Sequence, residues 1–171
     1  LQIHEDLSGR LLEKCQRGQI DSILMAFPYD TQNLTQMPLF EEPFVLACAK
    51  GQAPDLNEIE TSDLEADKLL LLEDGHCLRD HALEACALQT PDRKQEFSAT
   101  SLATLLQMVS SGYGQTLLPD MASTQNYIPP GVKTIPFRTP APTRQIGLAW
   151  RKGSARSKDY ETLGEIIGKP V

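Results

Sequence analysis

Residues 1–28 read LQIHEDLSGRLLEKCQRGQIDSILMAFP, and the order of patterns in them decides the fold class. Leu1-Gln2-Ile3 alternates apolar and polar, as a half-buried strand does. From Ser8 onward, Leu11, Leu12 and Cys15 recur at helical spacing, and Gly18 supplies the stop. Ile20 to Phe27 is then a short, largely apolar run closed by Pro28, the signature of a buried strand. Strand, helix, strand in this order predicts a parallel βαβ unit and hence an α/β fold.

The alternation continues to the end of the chain. Leu39 to Ala49 reads as a strand, followed by a Gly/Pro/Asp loop from Gly51 to Asn57 that is a candidate boundary between lobes. Lys68 to Leu72 is a short strand ending in Glu73-Asp74-Gly75, and Cys77 to Leu88 has helical character. Phe97-Ser98-Ala99 is strand-like. Thr100 or Ser101 then suits the cap of a helix through Leu102, Leu105, Leu106 and Val109 that stops at Gly112. Thr116 to Pro119 and Ile146 to Trp150 read as strands, and Tyr160 to Ile167 as a closing amphipathic helix. No internal repeat or low-complexity segment interrupts the pattern.

A chain of 171 residues, 40% apolar and 23% charged, can bury one good core or two small ones. No apolar run approaches the ~20 residues of a membrane helix. A formal charge of −7 gives no footprint for phosphate backbones, so these residues are not a nucleic-acid-binding module. Four cysteines, Cys15, Cys48, Cys77 and Cys86, are too few and too irregularly placed for a secreted disulfide framework. A cytosolic setting with reduced thiols fits better. Opening on Leu1 inside an alternating pattern, the sequence reads as part of a larger protein.

The chemistry concentrates in Glu73-Asp74-Gly75-His76-Cys77-Leu78-Arg79-Asp80-His81-Ala82-Leu83-Glu84-Ala85-Cys86. Cys77 stands at the start of a helix, where unsatisfied N–H groups and the macrodipole favour a thiolate, with His76 and Arg79 beside it. Cys15 and Cys48, set among apolar residues, read instead as small buried hydrophobes. Nine residues of helix separate Cys77 from Cys86 by roughly 13 Å and half a revolution, whereas a disulfide needs about 4.4–6.8 Å between Cα atoms. If the two bond, the segment must unwind, and oxidation becomes a conformational switch. A zinc site built from His76, Cys77, His81 and Cys86 competes with this reading but lacks the paired C-x-x-C spacing and ranks below it.

Other motifs have plainer explanations. Gly112-Tyr113-Gly114 follows a helix and precedes a strand, the wrong order for a dinucleotide fingerprint, and reads as a helix stop and turn. Thr100 and Ser101 could present donors to an anion, although capping alone accounts for both. Arg144, before the strand at Ile146, is either a surface charge or a donor to an oxygen ligand.

The run Leu72 to Asp80, the second cysteine at Cys86, and the segments Ala99-Thr100-Ser101-Leu102 and Gly112 to Pro119 together resemble the effector domain of the peroxide-sensing LysR-type transcription regulators. Ile20-Asp21 and Arg144-Gln145-Ile146-Gly147-Leu148 resemble the wider LysR effector domain, so the similarity covers essentially the whole chain. It implies two Rossmann-like α/β lobes, as in periplasmic solute-binding proteins, joined by two crossover strands. Residues 1–43 and 145–171 would form lobe I, lacking its first strand and helix, and residues 44–144 lobe II with the redox cysteines.

The resemblance further implies that Cys77 is the peroxidatic cysteine, oxidised to a sulfenic acid, and Cys86 the resolving one. Gly75 and His76 match residues flanking the peroxide pocket, Arg144 matches a pocket arginine, and Ser8 stands where a hydroxyl-bearing threonine is usual. Glu96 occupies a place where some relatives have a histidine. The partners implied are hydrogen peroxide, further copies of the chain in a dimer or tetramer, DNA through a winged helix-turn-helix outside these residues, RNA polymerase, and glutaredoxin or thioredoxin as reductant. The setting implied is the bacterial cytoplasm, with no cofactor, no metal, no membrane and no enzymatic turnover. Two alternatives compete. A metabolite-binding LysR effector domain would be stabilised by a small anion and indifferent to peroxide; a thiol peroxidase would need repeated turnover, and no peroxiredoxin or thioredoxin motif is present.

Overall fold

The computed structural model describes residues 1–74, 76–87, 98–123 and 127–168, and the backbone divides into two compact units, 1–41 with 145–171 and 42–144. Both are α/β, as the alternation of patterns predicts.

The first unit holds α1 (Ser8–Gln16), β1 (Ser22–Phe27), the leading half of β2 (Leu34–Ala49), most of β7 (Thr143–Arg151) and α4 (Ser157–Ile167). β1 pairs antiparallel with β7, from Ser22 opposite Trp150 to Phe27 opposite Gln145, and β7 neighbours β2. Strand alternation sorts the side chains onto two faces. Ile23, Met25, Phe27 and Ala149 pack with Cys15, Leu11 and Leu12 of α1, while Leu148 and Trp150 pack with Tyr160 and Leu163 of α4. Gly18, at φ 73°, takes the left-handed conformation that ends α1, and Arg151 Nη1 donates to the carbonyls of Cys15 and Ile20 at 2.7 and 3.0 Å to close the turn.

The expected parallel βαβ unit at the start of the chain is not formed. Leu1 and Ile3 are exposed and irregular, and β1 takes its partner antiparallel from the far end of the sequence. Three alternating residues suggest a strand but cannot hold one without a neighbour, and no described strand lies beside them.

In the second unit the trailing half of β2 is flanked by β5 (Thr116–Pro119) and β6 (Val132–Pro136), both antiparallel. β3 (Leu71–Leu72) pairs parallel with β4 (Ser98–Ala99), and Leu69 bridges in parallel to Gln115 just before β5. β2 again sorts its residues by alternation. Phe44, Leu46 and Cys48 share a core with Ala82, Leu83 and Cys86 at α2 (Cys77–Ala85), whereas Val45 and Ala47 share one with Leu105, Leu106 and Val109 of α3 (Leu102–Ser110). α3 opens on Ser101, whose Oγ accepts from Thr104 N at 3.2 Å, and stops before Gly112 at φ 81°. The Gly51–Asn57 loop lies within this unit.

Candidate functional site: a helix with a cysteine at each end

α2 forms because its apolar residues gather on one side. Ala82, Leu83 and Cys86 are buried, Leu78 and Ala85 pack against the same core, and Asp80 and Glu84 face solvent. Asp80 also places a carboxylate in the first turn, where the helix macrodipole favours it. The turn leading in is closed by His76 N to Glu73 O at 3.4 Å, Arg79 N to His76 O at 3.0 Å, and an ion pair between Arg79 and Asp74. Asp74 is almost fully exposed, while the Arg79 side chain is mostly buried and its Nε lies shielded with no hydrogen-bond partner among the described residues. His76 is the N-cap by position, but its side chain makes no capping hydrogen bond.

Cys77 is the first residue of α2 and half-buried; Cys86 is the C-cap and only 5% exposed. All four cysteines are thiols. Burial among Phe44, Leu46 and Leu83 pushes the Cys86 thiol up to about 11, because a thiolate there loses its hydration without gaining a countercharge. With the helix intact over Cys77–Ala85, the ends of the pair stand about 13 Å apart and on opposite sides. Cys86 is therefore a protonated, buried thiol out of reach of Cys77.

Cys15 and Cys48 are 0% and 4% exposed, with Sγ atoms 3.9 Å from Asp21 O and 3.8 Å from Lys133 O. Burial raises both thiols, which suits packing groups rather than nucleophiles.

The remaining sequence-derived residues are distributed as follows. His76 adjoins Cys77 at the head of α2, and Gly75 lies outside the described residues, as do Leu88, Glu96 and Phe97. Arg144, the last residue of the second unit, is bound by Glu42: Nε donates to Glu42 Oε2 at 2.7 Å and Nη2 to the same oxygen at 2.6 Å. Ser8 is the first residue of α1 in the other unit and half-buried. Sequence reasoning missed Glu42, which is 2% exposed and also accepts from Met121 N at 3.3 Å. Its signal was present, since a carboxylate within the apolar run from Leu39 to Ala49 has to find a cation. Among the described residues no three His, Cys, Asp or Glu side chains gather as a metal cage, so His76, Cys77, His81 and Cys86 do not form one. No described helix is long and apolar enough to cross a membrane.

Residues 1–169 match the family model of the LysR substrate binding domain. The hydrogen peroxide-inducible genes activator of Dickeya chrysanthemi and the DNA-binding transcriptional dual regulator OxyR of Escherichia coli K12 are each 39% identical to the chain over 166 residues, 96% of this chain and 54% of theirs. The chain thus spans about half the length of these curated relatives. A crystal structure of the reduced form of OxyR superposes with a TM-score of 0.85 at 37% identity, covering 98% of this chain and 79% of that one. The two-lobed α/β fold implied by the sequence is the fold of these regulatory domains, and the chain belongs to the LysR substrate-binding domain family, in its OxyR branch.

Proposed function

We propose that this chain is the peroxide-sensing part of a LysR-type transcription regulator, switched by a disulfide between Cys77 and Cys86. The observation that carries the reading is the placement of the two thiols at opposite ends of one helix, a half-buried Cys77 at its N-terminus and a buried Cys86 at its C-cap. Lobe I is then 1–43 with 145–171, and lobe II 44–144.

Helix N–H groups favour the Cys77 thiolate. The thiolate attacks one oxygen of hydrogen peroxide, the O–O bond breaks, and hydroxide leaves, giving Cys77 sulfenic acid. Gly75, His76, Ser8 and Arg144 are the residues proposed to hold the peroxide and the departing oxygen. The Cys86 thiol then attacks the sulfenic sulfur, the S–O bond breaks, and water leaves with formation of the disulfide. Since Cys86 is out of reach and protonated in the folded helix, this second step requires α2 to unwind first.

In the whole protein the refolded segment would alter how copies of the chain associate, and through that how winged-helix domains outside these residues sit on DNA and engage RNA polymerase. Glutaredoxin or thioredoxin resets the switch by thiol exchange, which places the protein in a reducing bacterial cytoplasm. Similarity to transcription regulators, rather than to peroxidases, supports reading the chain as a regulator.

The test is thiol titration and intact mass of the reduced chain after stoichiometric peroxide, with Cys77→Ser and Cys86→Ser in parallel. Fast loss of two hydrogens in the parent, absent from both variants, with sulfenic acid trapped in Cys86→Ser, supports the sensor. Slow, unselective oxidation of all four cysteines rejects it.

A further inference from the structure

His81 has no role in the site so far. It lies one helical turn beyond Cys77 on α2, and residues at i and i+4 are neighbours on one helix face, with Cβ atoms roughly 5–6 Å apart. Helical side chains lean toward the N-terminus, so the His81 imidazole covers the turn that begins at Cys77. It is buried at 5% exposure, and its Nδ1 is wholly shielded from solvent. A histidine in the interior is an expensive choice beside the apolar Ala82 and Leu83 unless its basicity is used.

The charged surroundings narrow what it can act on. Among the described residues, those of β2, β3, β5 and β6 that share a hydrophobic core with α2 include Phe44, Leu46, Leu71, Leu117 and Ile135, with Cys48 and Cys86 as the thiols of that core. Cys48 is itself held as a thiol by burial. On the helix and its leading turn, Asp80 and Glu84 point to solvent, Arg79 is paired with Asp74, and His76 lies before the helix. Cys77 is a partly buried acid one helical turn from His81 on the same face.

We infer that His81 is a positioning residue for Cys77: the imidazole takes the thiol proton and, as imidazolium, holds the thiolate at the head of α2 in the reduced state. The step is a proton transfer, Cys77–SH and neutral His81 becoming Cys77–S⁻ and His81–H⁺, with no electrons moved. It rests on the proposed role of Cys77 as the reacting thiol.

The experiment uses the Cys86→Ser chain, in which the disulfide cannot form. Cys77 ionisation is read from thiolate ultraviolet absorbance against a Cys77→Ser blank, and sulfenic acid formation from its rate with hydrogen peroxide. His81→Gln raises the ionisation midpoint by about one unit and slows sulfenic acid formation roughly tenfold at pH values below the midpoint. A core histidine acting only by packing would change thermal stability and leave both readouts where they were, which overturns the inference while the sensing role of Cys77 stands. As a second arm that needs no His81 variant, the imidazole midpoint of His81 is followed by NMR with and without Cys77→Ser. Because the two titrations are coupled, losing the thiolate lowers the His81 midpoint; an unchanged midpoint overturns the pair. If Cys77 forms no sulfenic acid in any chain, the sensor reading fails separately, and the NMR arm still decides whether the two groups are coupled.

Discussion

A single carboxylate oxygen, Glu42 Oε2, accepts from both Nε and Nη2 of Arg144, and these residues are the first and last of the second unit. Breaking such a pair from one side leaves a charge buried without its partner, at a cost of about 3–5 kcal/mol, whereas replacing both partners by apolar groups of similar volume is far less damaging. We expect Glu42→Ala to lose stability in that range in urea unfolding, and Glu42→Leu with Arg144→Met to recover most of it. A loss within about 1 kcal/mol for Glu42→Ala would mean the pair behaves as an exposed one.

The Cys86 thiol, raised from 9.0 to about 11 in the folded chain, ties stability to alkaline pH. Its folded value lies above its unfolded one, so its contribution is complete below about 9 and disappears as the pH rises toward about 11. At about 1.36 kcal/mol per unit, the loss attributable to this group is roughly 2–3 kcal/mol. Cys15 and Cys48 act in the same direction, so the comparison is the parent against Cys86→Ala: the alkaline loss should be smaller in the variant, and equal losses would show that Cys86 is solvated.

Glu84 is exposed and in the last turn of α2, so its replacement alters the helix without disturbing the core. Glu84→Gly weakens the helix by up to ~1 kcal/mol, which raises the unwound population roughly fivefold. If unwinding limits disulfide formation, conversion of the Cys77 sulfenic acid to the disulfide accelerates by about that factor, while its formation from peroxide changes little. Stopped-flow kinetics of the two phases would separate them, and an unchanged second phase would exclude unwinding as the slow step.

Ser101 Oγ caps α3 by accepting from Thr104 N. Removing the hydroxyl in Ser101→Ala should lower stability by ~1 kcal/mol, with Ser101→Gly costing only a few tenths. A chemical denaturation series over the three chains distinguishes a cap from a surface hydroxyl, for which the order would vanish.

What the sequence disclosed depended on how local the cause was. α2 and α3 were legible because their apolar spacing and end residues lie within ten or so positions. The expected strand at Leu1-Gln2-Ile3 failed for the opposite reason, since strands are made by neighbours and the pattern names none. β2 was seen only from Leu39 because Pro38 breaks the run that in the structure extends from Leu34. β6 escaped notice because Val132 and Ile135, its buried residues, do not alternate. In the candidate site the cysteine spacing was plain, but the burial that keeps Cys86 protonated and the carboxylate that binds Arg144 come from residues distant in the chain. His81 was visible only as a metal ligand in competition, and the helix face it shares with Cys77 recasts it.

The first unit is assembled from two stretches of chain with the whole of the second unit between them. Its β1–β7 pairing, from Ser22 with Trp150 to Phe27 with Gln145, must close a very long loop, and the entropy lost grows with the logarithm of loop length. The second unit shortens that loop when it folds, because Phe44 N meets Pro142 O at 2.9 Å next to the Glu42–Arg144 pair, leaving the two remaining stretches to emerge side by side. A substitution that loosens the ends of the second unit therefore lengthens the loop that the β1–β7 pairing has to close, and its entropic cost falls on strands it does not touch.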